Sequence, residues 1–264
     1  MKTRILFVIL IFFLSIFSSC FNKNNSKQAK INNSSLTIYA AAGTRFATDE
    51  ICDLFEKKNN IKVNRNYTSS GTLARQIANG ADCDVYISAN KQWVDFLIEK
   101  VIIMEESVHV IGGNSLVVIK SIDSDVKKPV FDKDFDILSI IPDKIALGDP
   151  AYVPVGKYAK MVLDNFGWYD LINEKGKMIL CKDVASVLHY VQKGECDWGI
   201  VYISEVIQPV KVDIMARIPM DLHEPIVFYV ADLKVQKIKA KELSRIFTEK
   251  PGQKILKKYG FQVP

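Results

Sequence analysis

The sequence predicts an α/β protein with two lobes, each built on a mostly parallel sheet flanked by helices. From Leu36 onward, short apolar runs alternate with segments of helical periodicity, which is typical of such sheets. The weakly patterned stretch that ends at Asp143 interrupts this alternation, and a second series begins at Lys144. Two series of similar build predict a ligand cleft between two lobes, because helix N-termini converge beyond the carboxyl ends of the strands.

The first series supplies most of one lobe. Strand-like runs at 36–42, 61–67 and 84–89 are each followed by an apolar helical stripe. A further strand at 114–120 leaves this unit. We therefore predict that lobe 1 begins with residues 36–113.

The second series supplies the other lobe. It contains strands at 144–149 and 198–204, a helix that Pro154 opens and a helix that Asp183 caps. The chain then continues through a strand at 225–232 into a basic helical tail, which Pro251 interrupts. We predict lobe 2 at 114–223 and the completion of lobe 1 by 224–264.

The N-terminus is predicted to be a secretion signal and not part of the fold. Two basic residues precede an apolar run that ends in small residues at Cys20, and the run is too short for a comfortable membrane span. The pattern resembles the lipobox of bacterial lipoproteins, in which the cysteine becomes N-terminal and acylated. We predict a signal peptide at 1–19 and a lipidated, flexible tether at 20–35. An ordinary cleaved signal peptide is the alternative.

Charge and cysteine content narrow the function classes. The net charge of +5 comes entirely from residues 1–35, which leaves residues 36–264 neutral and without an electrostatic footprint for nucleic acid. The basic residues of that arm are Lys2, Arg4, Lys23, Lys27 and Lys30. Beyond Cys20 the chain has four cysteines without metal-type spacing, and we expect buried thiols. They are Cys52, Cys83, Cys181 and Cys196.

The stretch 66–77 predicts an anion site. A polar strand end runs through Ser69, Ser70 and Gly71 into a helix whose apolar stripe includes Leu73 and Ile77. The first amides of a helix have no intrahelical partner, and with the helix dipole and nearby hydroxyls they suit a small oxyanion. One such turn in isolation is more often only a helix cap.

Three other segments of the chain support the prediction of an anion site. Three other predicted helix starts could face the same cleft, at residues 43–44, 155–156 and 183–184. A ring of helix N-termini suits a multiply charged, fully deprotonated anion.

Several ordered segments carry a family resemblance. They are 36–44, 68–77, 81–90 with Trp93, 114–118, 147–150 with 153–160, 199–202 and 258–261. Together they closely resemble the periplasmic molybdate-binding proteins of ABC importers, from Leu36 to the C-terminal end. The resemblance implies a type II periplasmic binding protein fold with the ligand in the interlobe cleft, no cofactor, no directly bound metal ion and no enzymatic activity.

The resemblance also implies the ligand and its contacts. Molybdate or tungstate would be held by backbone amides and hydroxyls and delivered to ABC permease subunits. The implied site residues are Gly43, Thr44, Ser70, Val155, Val184 and Tyr202. Gly43 stands where the family usually has a serine, so that Thr44 would supply the hydroxyl there. The protein would be a monomer on the outer side of a bacterial membrane, anchored through Cys20.

Hydrogen-bonding chemistry reduces the number of candidate anions but does not select a single one. Sulfate, molybdate and tungstate need donors only, whereas phosphate retains a proton and calls for an acceptor. The implied residues include no carboxylate, which disfavours phosphate, and Asp183 is assigned to capping alone. Sulfate stays an alternative, because it differs from molybdate mainly in size.

Two other function classes remain compatible with parts of the sequence. A hydrolase with Ser70 as nucleophile needs a positioned base, and the three histidines form no recognisable catalytic motif. A sensor or adhesion-type lipoprotein of the same fold stays open. Arg45 follows the predicted helix start at 43–44, and Arg75 follows the one at 70–71. We leave both outside the site. Arg45 lies in the segment that departs from the family pattern, and Arg75 falls on the side of its helix away from the apolar stripe, where a solvated or structural arginine is expected.

Overall fold

The computed structural model describes residues 35–233 and 237–264. The predicted signal peptide, the lipidation at Cys20 and the tether up to residue 34 lie outside the described residues. Within the described ranges, none of the helices combines the length and the apolar character needed to cross a bilayer.

The first sheet has five strands in the order β2-β1-β3-β10-β4. Its strands are β1 (Ser35–Ala41), β2 (Lys62–Thr68), β3 (Val85–Ser88), β4 (His109–Gly113) and β10 (Val227–Asp232). β1 pairs in parallel with β2 and β3, and β10 pairs antiparallel with β3 and β4. The C-terminal part of the chain therefore returns to complete the sheet that the N-terminal part began.

The second sheet has the same plan, in the order β7-β6-β8-β5-β9. Its strands are β5 (Leu116–Ser121), β6 (Ile145–Gly148), β7 (Met178–Cys181), β8 (Trp198–Tyr202) and β9 (Val212–Arg217). β6 pairs in parallel with β7 and β8, whereas β5 pairs antiparallel with β8 and β9. Two five-stranded sheets confirm the two-lobed α/β class. Both sheets are mixed, because the strands near the lobe crossings run against their neighbours.

Helices flank both sheets. They are α1 (Arg45–Asn59), α2 (Ser70–Ala78), α3 (Lys91–Glu99), α4 (Pro154–Asp164), α5 (Trp168–Glu174), α6 (Val184–Gln192), α7 (Ile238–Thr248) and α8 (Lys250–Lys258). Pro251 lies in the first turn of α8, where its missing N–H has no intrahelical partner to lose, so it separates α7 from α8 as predicted. The exact lobe boundaries stay a prediction.

Sequence patterns missed three strands and one helix. The strands β4, β7 and β9 and the short helix α5 follow no strong apolar period. Half or more of the residues in each of these strands are exposed or only partly buried. β7 and β9 are the edge strands of their sheet, which need less apolar surface.

The core consists of branched aliphatic and aromatic side chains between the sheets and the helices. Trp198, Tyr86 and Phe55 are among its largest fully buried members. The four cysteines predicted to be buried thiols are all buried and free. Burial raises the pKa of the Cys52, Cys181 and Cys196 thiols to about 12, so they stay protonated at neutral pH.

Candidate functional site

A small cavity lies where segments of the two lobes meet. Its wall consists of Ala41, Ala42, Gly43, Ser69, Ser70, Ala89, Val153, Pro154, Val155, Val184 and Tyr202. Its volume is only about 10 Å³, which suits one compact guest. The cavity brings together five of the six predicted site residues, all except Thr44.

The start of α2 forms one side of the cavity. Ser69 is the N-cap, and its Oγ accepts from the Thr72 N–H at 3.3 Å. Ser70 is fully buried, and its Oγ accepts from the Ala89 N–H at 3.0 Å. Because that bond uses a lone pair, the Ser70 hydroxyl proton stays available to a guest. The Ser70 amide belongs to the first helical turn and has no intrahelical partner.

The turn at Ala42–Thr44 forms the next part of the wall, through Ala42 and Gly43. Thr44 was predicted to supply a hydroxyl here, and the structure places that group elsewhere. Its Oγ1 donates to the Ala41 carbonyl at 2.8 Å and accepts from the Thr48 hydroxyl at 3.0 Å. The hydroxyl is therefore engaged within its own turn and helix, and Gly43 contributes only main-chain atoms.

Two helix starts close the opposite side. Val155 lies in the first turn of α4, directly after Pro154, and Val184 is the first residue of α6. Asp183 caps α6, since its Oδ1 accepts from the Ser186 N–H at 2.8 Å. Both valines are buried and line the cavity, and amides of a first helical turn have no intrahelical partner, so these two N–H groups are candidate donors to a guest.

Asp183 does more than the predicted capping. Its Oδ2 accepts from the Thr68 hydroxyl of the first lobe at 3.5 Å, at the outer limit of a hydrogen bond. Asp183 is nevertheless absent from the cavity wall. The wall consequently carries no carboxylate and no cation.

Tyr202 completes the wall at the end of β8. Only 2% of the residue is exposed, and its hydroxyl has no hydrogen-bond partner in the part of the chain that the structure describes. Burial raises the pKa of this phenol well above its usual value, so it is a neutral donor at any physiological pH. A buried hydroxyl without a partner is costly, and this one lies where a guest could accept its proton.

Glu205 is a neighbour that the sequence did not reveal. It lies in the turn Ile203–Glu205 after β8, is 4% exposed, and has its Oε1 3.6 Å from where a Cβ on Gly43 would stand. Burial raises the pKa of its carboxyl to about 8, against an opposing effect of Arg45. Its position after Tyr202 was visible in the sequence, but its burial was not.

The hydrolase alternative finds no base beside Ser70. None of the three histidines belongs to the cavity wall. His109 lines a separate polar depression with Asp232, and the His223 ring bonds to the Glu224 carbonyl at 2.7 Å. No group of three or more residues suited to hold a metal ion occurs within residues 35–233 and 237–264.

Comparison with known families agrees with this geometry. The family described as bacterial extracellular solute-binding protein matches residues 36–262, nearly all of the described chain. This chain belongs to that family. Its members bind solutes outside the cytoplasm, and the α/β lobes with a cavity between them have the architecture expected of a solute-binding protein.

Individual relatives of this solute-binding protein are similar over most of their length. The molybdate-binding protein ModA of Escherichia coli K12 is 32% identical over 230 residues, covering 86% of this chain and 89% of ModA. The putative ABC transporter substrate-binding lipoprotein YvgL of Bacillus subtilis 168 is 35% identical over 246 residues, covering 91% of each chain. Among solved structures, the substrate-binding domain of a putative molybdenum ABC transporter from Clostridium difficile is 33% identical with a TM-score of 0.64, covering 87% of this chain and 99% of that domain.

Proposed function

We propose that this solute-binding protein captures molybdate, or tungstate, and delivers it to the permease of an ABC importer. The observation that carries the proposal is the buried, partnerless hydroxyl of Tyr202 in the wall of a small cavity. That wall also receives three helix starts and carries no charged side chain. Such a site offers hydroxyl and backbone N–H donors and no carboxylate, which matches an anion without protons.

Each proposed site residue supplies its own hydrogen-bond donors to the anion. Ser70 supplies its hydroxyl and amide, and Tyr202 its phenol. Gly43, Val155 and Val184 supply backbone N–H groups. Thr44 instead positions the turn that presents Gly43, through its bond to the Ala41 carbonyl.

The proposed donors are divided between the two lobes, and this division explains why anion binding would bring the lobes together. Gly43 and Ser70 stand beside the first sheet, and the other three stand beside the second. An anion docked on one set has an incomplete shell until the second set arrives. Binding therefore favours the closed state, because only that state satisfies every donor.

The choice among anions rests on chemistry and on relatives. A wall without a carboxylate disfavours phosphate, which retains a proton at neutral pH. Sulfate shares the charge of molybdate and is smaller. The names of the E. coli and C. difficile relatives support molybdenum oxyanions over sulfate.

The proposal also covers cofactors, oligomeric state and attachment to the membrane. We propose a binding role without catalysis or cofactor, a monomer, and no nucleic-acid partner. The anchor would be an acylated Cys20 at a bacterial membrane, which the name of the related B. subtilis lipoprotein supports.

One experiment tests the proposal directly. Titration calorimetry and thermal shift with molybdate, tungstate, sulfate and phosphate should show tight binding and stabilisation by the first two alone. Tighter binding of sulfate than of molybdate would contradict the assignment of the anion. A lack of response to all four anions would contradict the oxyanion site itself.

A further inference from the structure

Tyr152 lies outside the cavity wall and yet joins its two sides. The residue is half-buried in the loop between β6 and α4, directly before Val153 and Pro154 of the wall. Its carbonyl accepts from the Gly71 N–H at 3.1 Å, and Gly71 directly follows Ser70. A single main-chain hydrogen bond thus connects two segments that line the site from different lobes.

The side chain of Arg75 reinforces this connection. Its Cζ lies 5.2 Å from the ring centroid of Trp93 and 5.1 Å from that of Tyr152. Both distances are within the range of cation–π attraction. Among the described residues, Arg75 takes part in none of the ion pairs, and its guanidinium lies over these two rings. Trp93 belongs to the first lobe and Tyr152 to the second.

Both partners are held in place. The loop that carries Tyr152 is a turn organised by Asp149, whose carbonyl accepts from the Tyr152 and Val153 amides at 3.2 and 2.8 Å. On the other side, Gly71 allows close approach, since a Cβ there would stand 2.5 Å from Trp93 Cζ2 and 2.6 Å from the Tyr152 carbonyl oxygen. Only glycine fits between these groups.

We propose that Gly71, Arg75, Trp93 and Tyr152 form a clasp that stabilises the closed state and sets the rate at which the anion leaves. The inference rests on the proposed function. Arg75 and Tyr152 are positioning residues, because neither belongs to the cavity wall. A contact between lobes that exists only after closure slows release and leaves the first encounter with the anion unchanged. The Thr68–Asp183 bond, at 3.5 Å, is a weaker link across the same cleft.

Stopped-flow kinetics with molybdate on the full chain tests the clasp. Arg75→Ala and Tyr152→Ala should each raise the dissociation rate by about threefold to tenfold, the loss expected for one or two cation–π contacts, while the association rate changes less than twofold. Tyr152→Phe keeps the ring and should behave as wild type. Arg75→Lys keeps the charge but loses the flat stacking surface, and should fall between. Arg217→Ala removes an exposed arginine of β9 that is not part of the clasp, and controls for net charge.

A second measurement does not depend on release kinetics. Hydrogen exchange of the Gly71 amide with molybdate bound reports the bond to the Tyr152 carbonyl in the closed state, and it should be faster in Arg75→Ala than in Arg217→Ala. Equal dissociation rates for wild type and Arg75→Ala, or equal exchange at Gly71 in the molybdate-bound proteins, would overturn the clasp. Wild-type protein that binds none of the four oxyanions would instead overturn the proposed function, and the role of the clasp in release with it, so the two failures are distinguishable.

Discussion

A Cβ atom placed on Gly43 would lie 2.9 Å from Cδ2 of Tyr202. Real Cβ atoms do not approach a ring so closely, so the edge of the Tyr202 ring excludes a side chain at position 43. The Ser204 hydroxyl fixes the same contact by donating to the Gly43 carbonyl at 3.2 Å. The lack of a side chain at position 43 and the position of the phenol are therefore one packing solution.

The first prediction concerns Gly43→Ala. The added methyl group must displace the Tyr202 ring, which packs edge-to-face on Phe228 at 5.3 Å between centroids. We expect destabilisation of about 1–3 kcal/mol, as for overpacking, together with weaker molybdate binding. Chemical denaturation and calorimetry measure the two effects. Unchanged values for both would mean that the contact is looser than described.

The second prediction separates binding from stability at Tyr202. Tyr202→Phe removes a buried hydroxyl without a partner, so the anion-free protein should keep or gain stability. Molybdate affinity should fall about tenfold to a hundredfold, because a donor to a charged guest is lost.

Tyr86→Phe is the control for Tyr202→Phe, because it removes a buried hydroxyl that has a hydrogen-bond partner. The Tyr86 hydroxyl donates to the Ser70 carbonyl at 2.9 Å, so its removal should cost about 1 kcal/mol of stability. If Tyr202→Phe lost stability and kept its affinity, the phenol would have a structural partner and no role in binding.

The third prediction concerns Ser70→Ala. Loss of its hydroxyl should weaken molybdate binding by about tenfold to a hundredfold. Stability should also decline by about 1 kcal/mol, since the Ala89 N–H loses its acceptor. Ser107→Ala removes another buried hydroxyl, one that bonds to the Asp232 carbonyl at 3.0 Å, and should lower stability alone. Equal affinity in Ser70→Ala and wild type would remove Ser70 from the site.

The fourth prediction follows from Glu205. Burial disfavours the charged form and raises the pKa of this carboxyl from its usual 4.5 to about 8 in the folded protein. The nearby charges act in opposite directions, with Arg45 lowering this pKa and Asp183 raising it. Ionisation above about pH 8 would place a negative charge behind Gly43, next to a bound dianion. Molybdate affinity should therefore decline as pH rises through 8, and Glu205→Gln should remove that decline.

Stability should show a matching signature. Between pH 4.5 and about 8 the unfolded chain has already released this proton while the folded protein retains it. The contribution of Glu205 to folding is thus complete below pH 4.5, declines as pH rises, and levels off above about 8. Denaturant unfolding of wild type and Glu205→Gln across this range gives the difference. A difference that does not vary with pH would mean that the carboxyl titrates normally.

Sequence patterns predicted the architecture because alternating apolar runs and capped helices are local signals. They also placed Ser70, Val155 and Val184 correctly at helix starts. The direction of the Thr44 hydroxyl depends on a competition between its own turn and the cavity, which residue type does not decide. The clasp of Arg75 and Tyr152 joins residues 77 positions apart and became visible only with tertiary structure.

The partnerless phenol of Tyr202 also affects how often a transporter would meet a carrier without cargo. A closed but empty protein leaves that group unsolvated, so the same atom that recognises cargo penalises closure without it. Under the proposed function, a transporter that recognises only the closed shape would seldom meet a vacant carrier. Discrimination between loaded and unloaded carriers would then be built into a single oxygen atom and would need no separate sensor.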